Sequence, residues 1–255
     1  MKATSESKRR CTFCHVEKVT KEHVFPEWIA KLLKETLQIE DWAASRPGGI
    51  TWKKPDLDVA VKRVCKKCNE TWMAGIEDEA IPILTPLILA DETPIHFSTA
   101  DQTTVARWAY KTALMASFVE KGMRHSAYSD FFKTQMPPPH SAIIIAAHSG
   151  TPFLMLAPRQ GTFLLKWRHL GRSGELKGDF NVITLSIYRL VFQVILYDGD
   201  ALPFMSIPRI EGTSVLWPIR DPVSWPPEMK ALSDNALNEF ATLTNWTGEP
   251  FRFRT

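Results

Sequence analysis

The four cysteines of this 255-residue chain fall in its front quarter as two pairs, Cys11-Thr12-Phe13-Cys14 and Cys65-Lys66-Lys67-Cys68. Each CxxC can wrap two thiolates around one side of a tetrahedral ion, and four thiolates close the coordination sphere, leaving no open position for reaction. A structural zinc is the reading that this spacing favours. Disulfides would need an oxidising compartment, and nothing in the sequence sends the chain to one. Cys11-Thr12-Phe13-Cys14-His15 also fits the CxxCH haem-attachment pattern, but haem would leave the second CxxC without a purpose. His15 reads instead as a knuckle residue or a neighbour of the zinc ligands.

Beside each pair stand groups suited to acid–base and oxygen-ligand chemistry. Thr20-Lys21-Glu22-His23-Val24-Phe25-Pro26-Glu27-Trp28 follows the first pair, and Asn69-Glu70-Thr71-Trp72-Met73-Ala74-Gly75-Ile76-Glu77 the second. A shared ion would draw the Glu22–His23 dyad towards Asn69, because both lie within about 10 residues of a ligating sulfur. These strings resemble the zinc-stapled HNH (His-Me finger) endonucleases, whose motif runs CxxC, Asp/Glu-His-(Val/Ile)-x-Pro, CxxC-Asn. Here the order is CTFC, EHVFP and CKKCN. The longer strings TKEHVFPEW and VCKKCNETWMAGIE look like a bacterial and phage subgroup with an extended C-terminal region. The specific likeness covers residues 11–77.

The resemblance implies a ββα-metal, treble-clef-like module in which a hairpin presents the histidine and a helix starts at or near Asn69. It implies His23 as the general base that takes a proton from the attacking water. It implies Glu22 and Asn69 as ligands of one catalytic Mg²⁺ or Mn²⁺, and DNA ends that carry 5′-phosphate and 3′-hydroxyl groups. Carboxylate and carboxamide oxygens do suit a hard cation that keeps several waters. An imidazole with an ordinary pKa near ~6.5 is largely neutral at cellular pH and able to accept a proton. A soft, closed thiolate site and a hard, open oxygen site would then coexist.

The chain departs from the family pattern at three places. The stretch Asp58–Val64, where a middle Asn usually braces the hairpin, holds none, and Asp58 could take its place. Glu22 stands for the more familiar Asp. Trp72 stands where many relatives carry Lys, a charge that Lys62, Arg63, Lys66 and Lys67 could return to a DNA backbone. Blander roles also fit some of these residues. Asn69 could merely cap the helix that follows. Glu77, about two helical turns further on, could reach the site but reads more simply as a solvated face. Trp28, Trp72 and Met73 read as core.

Residues 1–75 hold 15 Lys/Arg against 10 Asp/Glu, whereas the whole chain carries a net charge of only +3. That basic front is weak support for a nucleic-acid partner, and the residues alone do not separate DNA from RNA. With 23% charged and 44% hydrophobic residues, the composition argues against a wholly disordered chain. No apolar run approaches the ~20 residues needed to span a bilayer. Met1–Arg10 is polar and basic without an apolar core. The expectation is a cytoplasmic protein with no membrane partner.

The elements that must hold these groups are read as an α+β chain. Residues 1–90 form the zinc-stapled module, 91–136 a helical connector, and 137–255 a C-terminal domain rich in antiparallel sheet. Pro47-Gly48-Gly49 predicts a turn inside the insert between the knuckles. Residues 69–80 predict a helix ending near Pro82, and Asp91–Thr99 a linker. A second helix follows, capped by Asp101 and closed by Gly122, with Val105, Trp108, Ala109, Thr112, Leu114, Met115 and Phe118 on one side. Beyond Pro137, short apolar runs at Ala142–Ala147, Phe153–Ala157, Phe163–Arg168, Asn181–Ile187 and Leu190–Tyr197 predict strands, with a turn at Asp198-Gly199. Asp234–Thr244 predicts a short helix.

The leading expectation is an HNH-type endonuclease. One alternative is a non-catalytic, zinc-dependent nucleic-acid-binding or regulatory protein on the same fold. Another is a zinc-stabilised interaction scaffold.

Overall fold

The computed structural model describes residues 10–16, 18–37, 43–46, 50–53, 59–89, 94–119, 127–150, 154–169, 172–198, 211–226, 231–242 and 251–253. Helices and sheet are mixed, and the largest sheet is antiparallel throughout. In the front segment β1 (Val19–His23) pairs with β4 (Ala60–Cys65). Between them come helix α1 (Glu27–Leu37) and a second antiparallel pair, β2 (Ala43–Arg46) with β3 (Ile50–Lys53). The expected turn at Pro47-Gly48-Gly49 and the substitute brace Asp58 lie outside the described residues. Helix α1 buries Ile29 and Leu33 one turn apart. Glu27 in its first turn and Lys34 in its last both complement the helix dipole.

The chain turns from β4 straight into a helical run made of α2 (Lys66–Cys68), a π-helical turn (Asn69–Met73) and α3 (Ala74–Leu89). Two expectations are corrected here. The run begins at Lys66 with Cys65 before it, so Asn69 sits inside it and is not its N-cap. The helix also passes through Pro82 and Pro86 instead of stopping. An interior proline costs about 3 kcal/mol. Ile76, Ala80, Leu84, Leu87 and Ile88 are buried along this helix, and each large apolar side chain returns about 1.5–3 kcal/mol. Tertiary burial wins over the local rule.

The expected linker holds a short strand, β5 (Ile95–Phe97), followed by helix α4 (Thr99–Ser117). Ser98 is its N-cap, with Asp101 as the reciprocal partner of a capping box. The Ser98 hydroxyl oxygen accepts from the Asp101 N–H at 3.1 Å, and the Ser98 N–H donates to Asp101 Oδ2 at 2.9 Å. The helix closes at Ser117, before Gly122, which lies outside the described residues. From Val105 onward almost every α4 residue is buried, not one side only. The helix lies against several elements at once. Trp108 contacts Trp28 of α1 and a sheet residue, Phe192, at centroid distances of 6.4 and 5.7 Å, and Tyr110 meets Phe131 of α5 (Ala127–Thr134) at 5.1 Å.

The back segment is a six-stranded sheet in the order β10-β6-β9-β8-β7-β12. Its strands are β6 (Ala142–Ala147), β7 (Leu154–His169), β8 (Arg172–Ile187), β9 (Leu190–Asp198), β10 (Thr213–Trp217) and β12 (Phe251–Phe253). β11 (Val223–Trp225) pairs with β5. One sheet face, with Ile143, Ile145, Ile183, Leu185 and Phe192, joins the core that also holds α4, α3 and the cysteine region. The other face, with Ile144, Ala146 and Val191, is covered by Leu237, Phe240 and Ala241 of α6 (Asp234–Thr242). A bond between His148 Nε2 and Asp234 Oδ1 at 2.8 Å ties that helix to the end of β6. A Cβ on Gly150 would lie 2.0 Å from Asp234 Oδ1 and 2.7 Å from His148 Nε2, so any larger residue there would have to push this pair aside. No helix among the described residues is long and apolar enough to cross a membrane.

Candidate metal centre and acidic site

The sulfurs of Cys11, Cys14, Cys65 and Cys68 lie within 4.8 Å of one another, and Cys14 Sγ and Cys65 Sγ are 3.4 Å apart. A tetrahedral zinc with Zn–S bonds of about 2.3 Å separates its sulfurs by roughly 3.8 Å. The four thiols therefore form a cluster that can hold such an ion, and none is in a disulfide. Local backbone builds each half. The Cys11 N–H donates to Val16 O and the His15 N–H to Cys11 O, curling the first knuckle through a left-handed His15 at φ 59°. The Thr12 N–H donates to Arg63 O at 2.9 Å, which docks that knuckle on β4. Burial pushes the Cys14 and Cys68 thiols up. Burial acts on Cys11 as well, but hydrogen bonding from the backbone around Cys14, Cys65 and Phe13 outweighs it and draws that thiol down. The second knuckle ends β4 and opens the helical run, so the cluster fixes where Asn69 emerges.

The β1–β4 ladder is irregular where it matters. Thr20 pairs with Val64 but Glu22 pairs with Val61, so β4 carries one extra residue across this step. This β-bulge breaks the alternation of inward and outward positions. Lys62 and Arg63 are consequently both exposed while Val61 and Val64 are buried, and Glu22 faces inward at 6% exposure. His23, next along and paired with Ala60, is half-buried.

Inside, Glu22 meets Asn69 from the π-helical turn through a side-chain hydrogen bond. The two strings separated by the insert therefore meet here, with the Asn69 side-chain N–H donating to the Glu22 carboxylate. Glu77 and Lys111 complete the group. The fully buried Lys111 of α4 donates to Glu77 Oε1, and both charges act on Glu22. The solvated-face reading of Glu77 is thus corrected: it is only 21% exposed and is ion-paired. Burial pushes the Glu22 carboxyl up to about 7, Lys111 opposes that, and Glu77 adds to it.

This shift fixes the sign of a pH effect. The folded protein holds the Glu22 proton up to about pH 7, whereas the unfolded chain releases it near the ordinary carboxyl value of 4.5. Stability contributed by this group therefore falls as pH rises from 4.5 to about 7 and stays lowered above that. Without added divalent ions, Glu22→Gln should be more stable than the parent at pH 8 by on the order of 2 kcal/mol. The difference should vanish near pH 4.5, as denaturant melts at several pH values would read.

Trp72 lies in an aromatic cluster, 5.0 Å from Phe13 and 5.9 Å from both Phe131 and Phe132. Trp28 is half-buried against the same core and Met73 is fully buried. Lys62, Arg63, Lys66 and Lys67 are all exposed. Arg63 lies over the Phe118 ring at 5.3 Å, and Lys66 is 3.6 Å from Glu70. Two lysines at the start of a helical run oppose its dipole, so their placement adds positive potential where local helix stability would not.

Sequence reasoning missed Lys111. Its signal was present: it is the one charged residue between Ala109 and Ser117, and a lone charge in an apolar helical span demands a partner. No family model, curated protein or solved structure matches this chain.

Proposed function

We propose that the chain is a metal-dependent nuclease of the HNH type, with residues 11–77 as its zinc-stapled ββα-metal module and DNA as its substrate. The observation that carries this reading is the Glu22–Asn69 contact, held beside a four-cysteine cluster that clasps the two strings bearing them. The donor set fits a divalent cation: a carboxylate and a carboxamide oxygen suit Mg²⁺ or Mn²⁺ and leave positions for water and phosphate. When bound, such an ion supplies charge stabilisation to the phosphate and its leaving oxygen. The protein's own part is done by side chains. Glu22 and Asn69 hold the cation, and His23 takes the proton from the attacking water. The exposed strip of Lys62, Lys66 and Lys67 draws in the polyanion. The products are 5′-phosphate and 3′-hydroxyl ends.

A second reading, a zinc-dependent nucleic-acid-binding or regulatory module without catalysis, draws on Trp72. Where a phosphate-contacting lysine is usual, this side chain packs against Phe13, Phe131 and Phe132. A nicking assay on supercoiled plasmid separates the two. The nuclease converts plasmid to open circles with Mg²⁺ or Mn²⁺ and does nothing without them. Retention of DNA at low salt with no cleavage in any divalent ion would leave only the binding module.

A further inference from the structure

The Glu77–Lys111 pair joins the candidate site to a part of the chain that the nuclease motif does not include. Lys111 belongs to α4, lies 34 positions beyond Glu77, and has no exposed side-chain surface. An ammonium taken wholly out of water is costly unless opposite charge faces it. Here Glu77 does so in direct contact, and the Glu22 carboxyl lies within the field of the same ammonium. One helical turn earlier, Trp108 is wedged between Trp28 and Phe192, so α1 and the large sheet fix how far Lys111 reaches in.

We infer that Lys111 is a built-in counter-ion of the acidic site, standing in for a divalent cation in the metal-free protein and limiting how tightly that site takes one. This rests on the reading of Glu22 and Asn69 as cation ligands. With both carboxylates ionised, the group carries a charge of −1 before a divalent ion enters and +1 afterwards, the sign that suits a phosphate diester. Lys111 is a positioning residue in this account, not a catalytic one, because its side chain is sealed from substrate. It gives α4 and the sheet behind it a function: they hold a charge that tunes affinity for the cation. Even about 10 Å apart, at an effective dielectric near 20, Coulomb repulsion between an ammonium and a divalent ion is large enough to change affinity at least about tenfold.

The test measures Mn²⁺ binding to the full-length, zinc-loaded protein through loss of the free-ion electron paramagnetic resonance signal, a readout independent of cleavage. Lys111→Met should bind Mn²⁺ about tenfold more tightly than the parent, and Glu77→Gln about tenfold more weakly. The Glu77→Gln/Lys111→Met double variant, which removes both charges, should return to within roughly threefold of the parent. A purely structural lysine would lower the melting temperature without producing that order. If Lys111→Met fails to fold, the double variant must still bind more tightly than Glu77→Gln. Equal affinities for those two, or for Lys111→Met and the parent, overturn the inference. If Glu22→Gln binds Mn²⁺ as well as the parent does, the assignment of the site itself fails first, and this inference with it.

Discussion

His23→Ala should leave zinc content and melting behaviour close to those of the parent while plasmid nicking falls by about 10²–10⁴-fold, the usual weight of a positioned general base. The two halves of this expectation have separate structural sources. His23 is half-buried at the last position of β1 and is not part of the buried core, so its truncation opens no cavity. The imidazole is nonetheless the neighbour of Glu22, whose carboxylate meets Asn69. It is the base that the resemblance would place beside the attacking water. Undiminished nicking by this variant would remove His23 from the role of base. A large fall in melting temperature would mean that it holds the hairpin instead.

Cys68→Ser should have the opposite profile: metal lost, and ordered structure lost with it around β1, β4 and the first turns of the helical run. Cys68 is 3% exposed and one of four sulfurs gathered within 4.8 Å. The aromatic contacts of the knuckle depend on that gathering. Phe13, between Cys11 and Cys14, touches Trp72, Tyr128 and Phe132 at centroid distances of 5.0, 6.0 and 6.3 Å. Structural zinc contributes about 10–16 kcal/mol to small modules, as much as the whole net stability of a typical domain, about 5–15 kcal/mol. Hydrogen exchange is the measurement that locates the loss. Amides of β1, β4 and residues 66–73 should lose protection while those of β6, β8 and β9 keep theirs. Zinc at full occupancy with unchanged protection in this variant would refute the cysteine cluster as a structural metal site.

What could be read from residues, and what could not, divides along physical lines. The gathering of the four cysteines was legible because two CxxC pairs at this spacing suit one tetrahedral ion, so spacing carries tertiary information. The strand at Ala142–Ala147 was legible because a fully buried strand reads as an unbroken apolar run. The continuation of α3 through Pro82 and Pro86 was not, because it depends on burial that no local signal encodes. The long β7–β8 hairpin, which pairs from Leu154↔Ile187 to His169↔Arg172, read as separate short strands because charged residues and glycines interrupt its apolar pattern. Lys111 was overlooked for a related reason. Its partner, Glu77, lies 34 positions away on another helix, and no local spacing links the two.

The irregular step in the β1–β4 ladder has a consequence for how this protein can change. Side-chain direction on a strand has period two, and the extra residue at positions 62–63 shifts that phase once, just where Glu22 must turn inward. Almost any substitution of Lys62 or Arg63 keeps the phase. Deleting either would put the acid and the imidazole out of step with the helix that carries Asn69. For descendants of this sequence the length of that junction is therefore a stricter constraint on the fold than the identity of its two side chains.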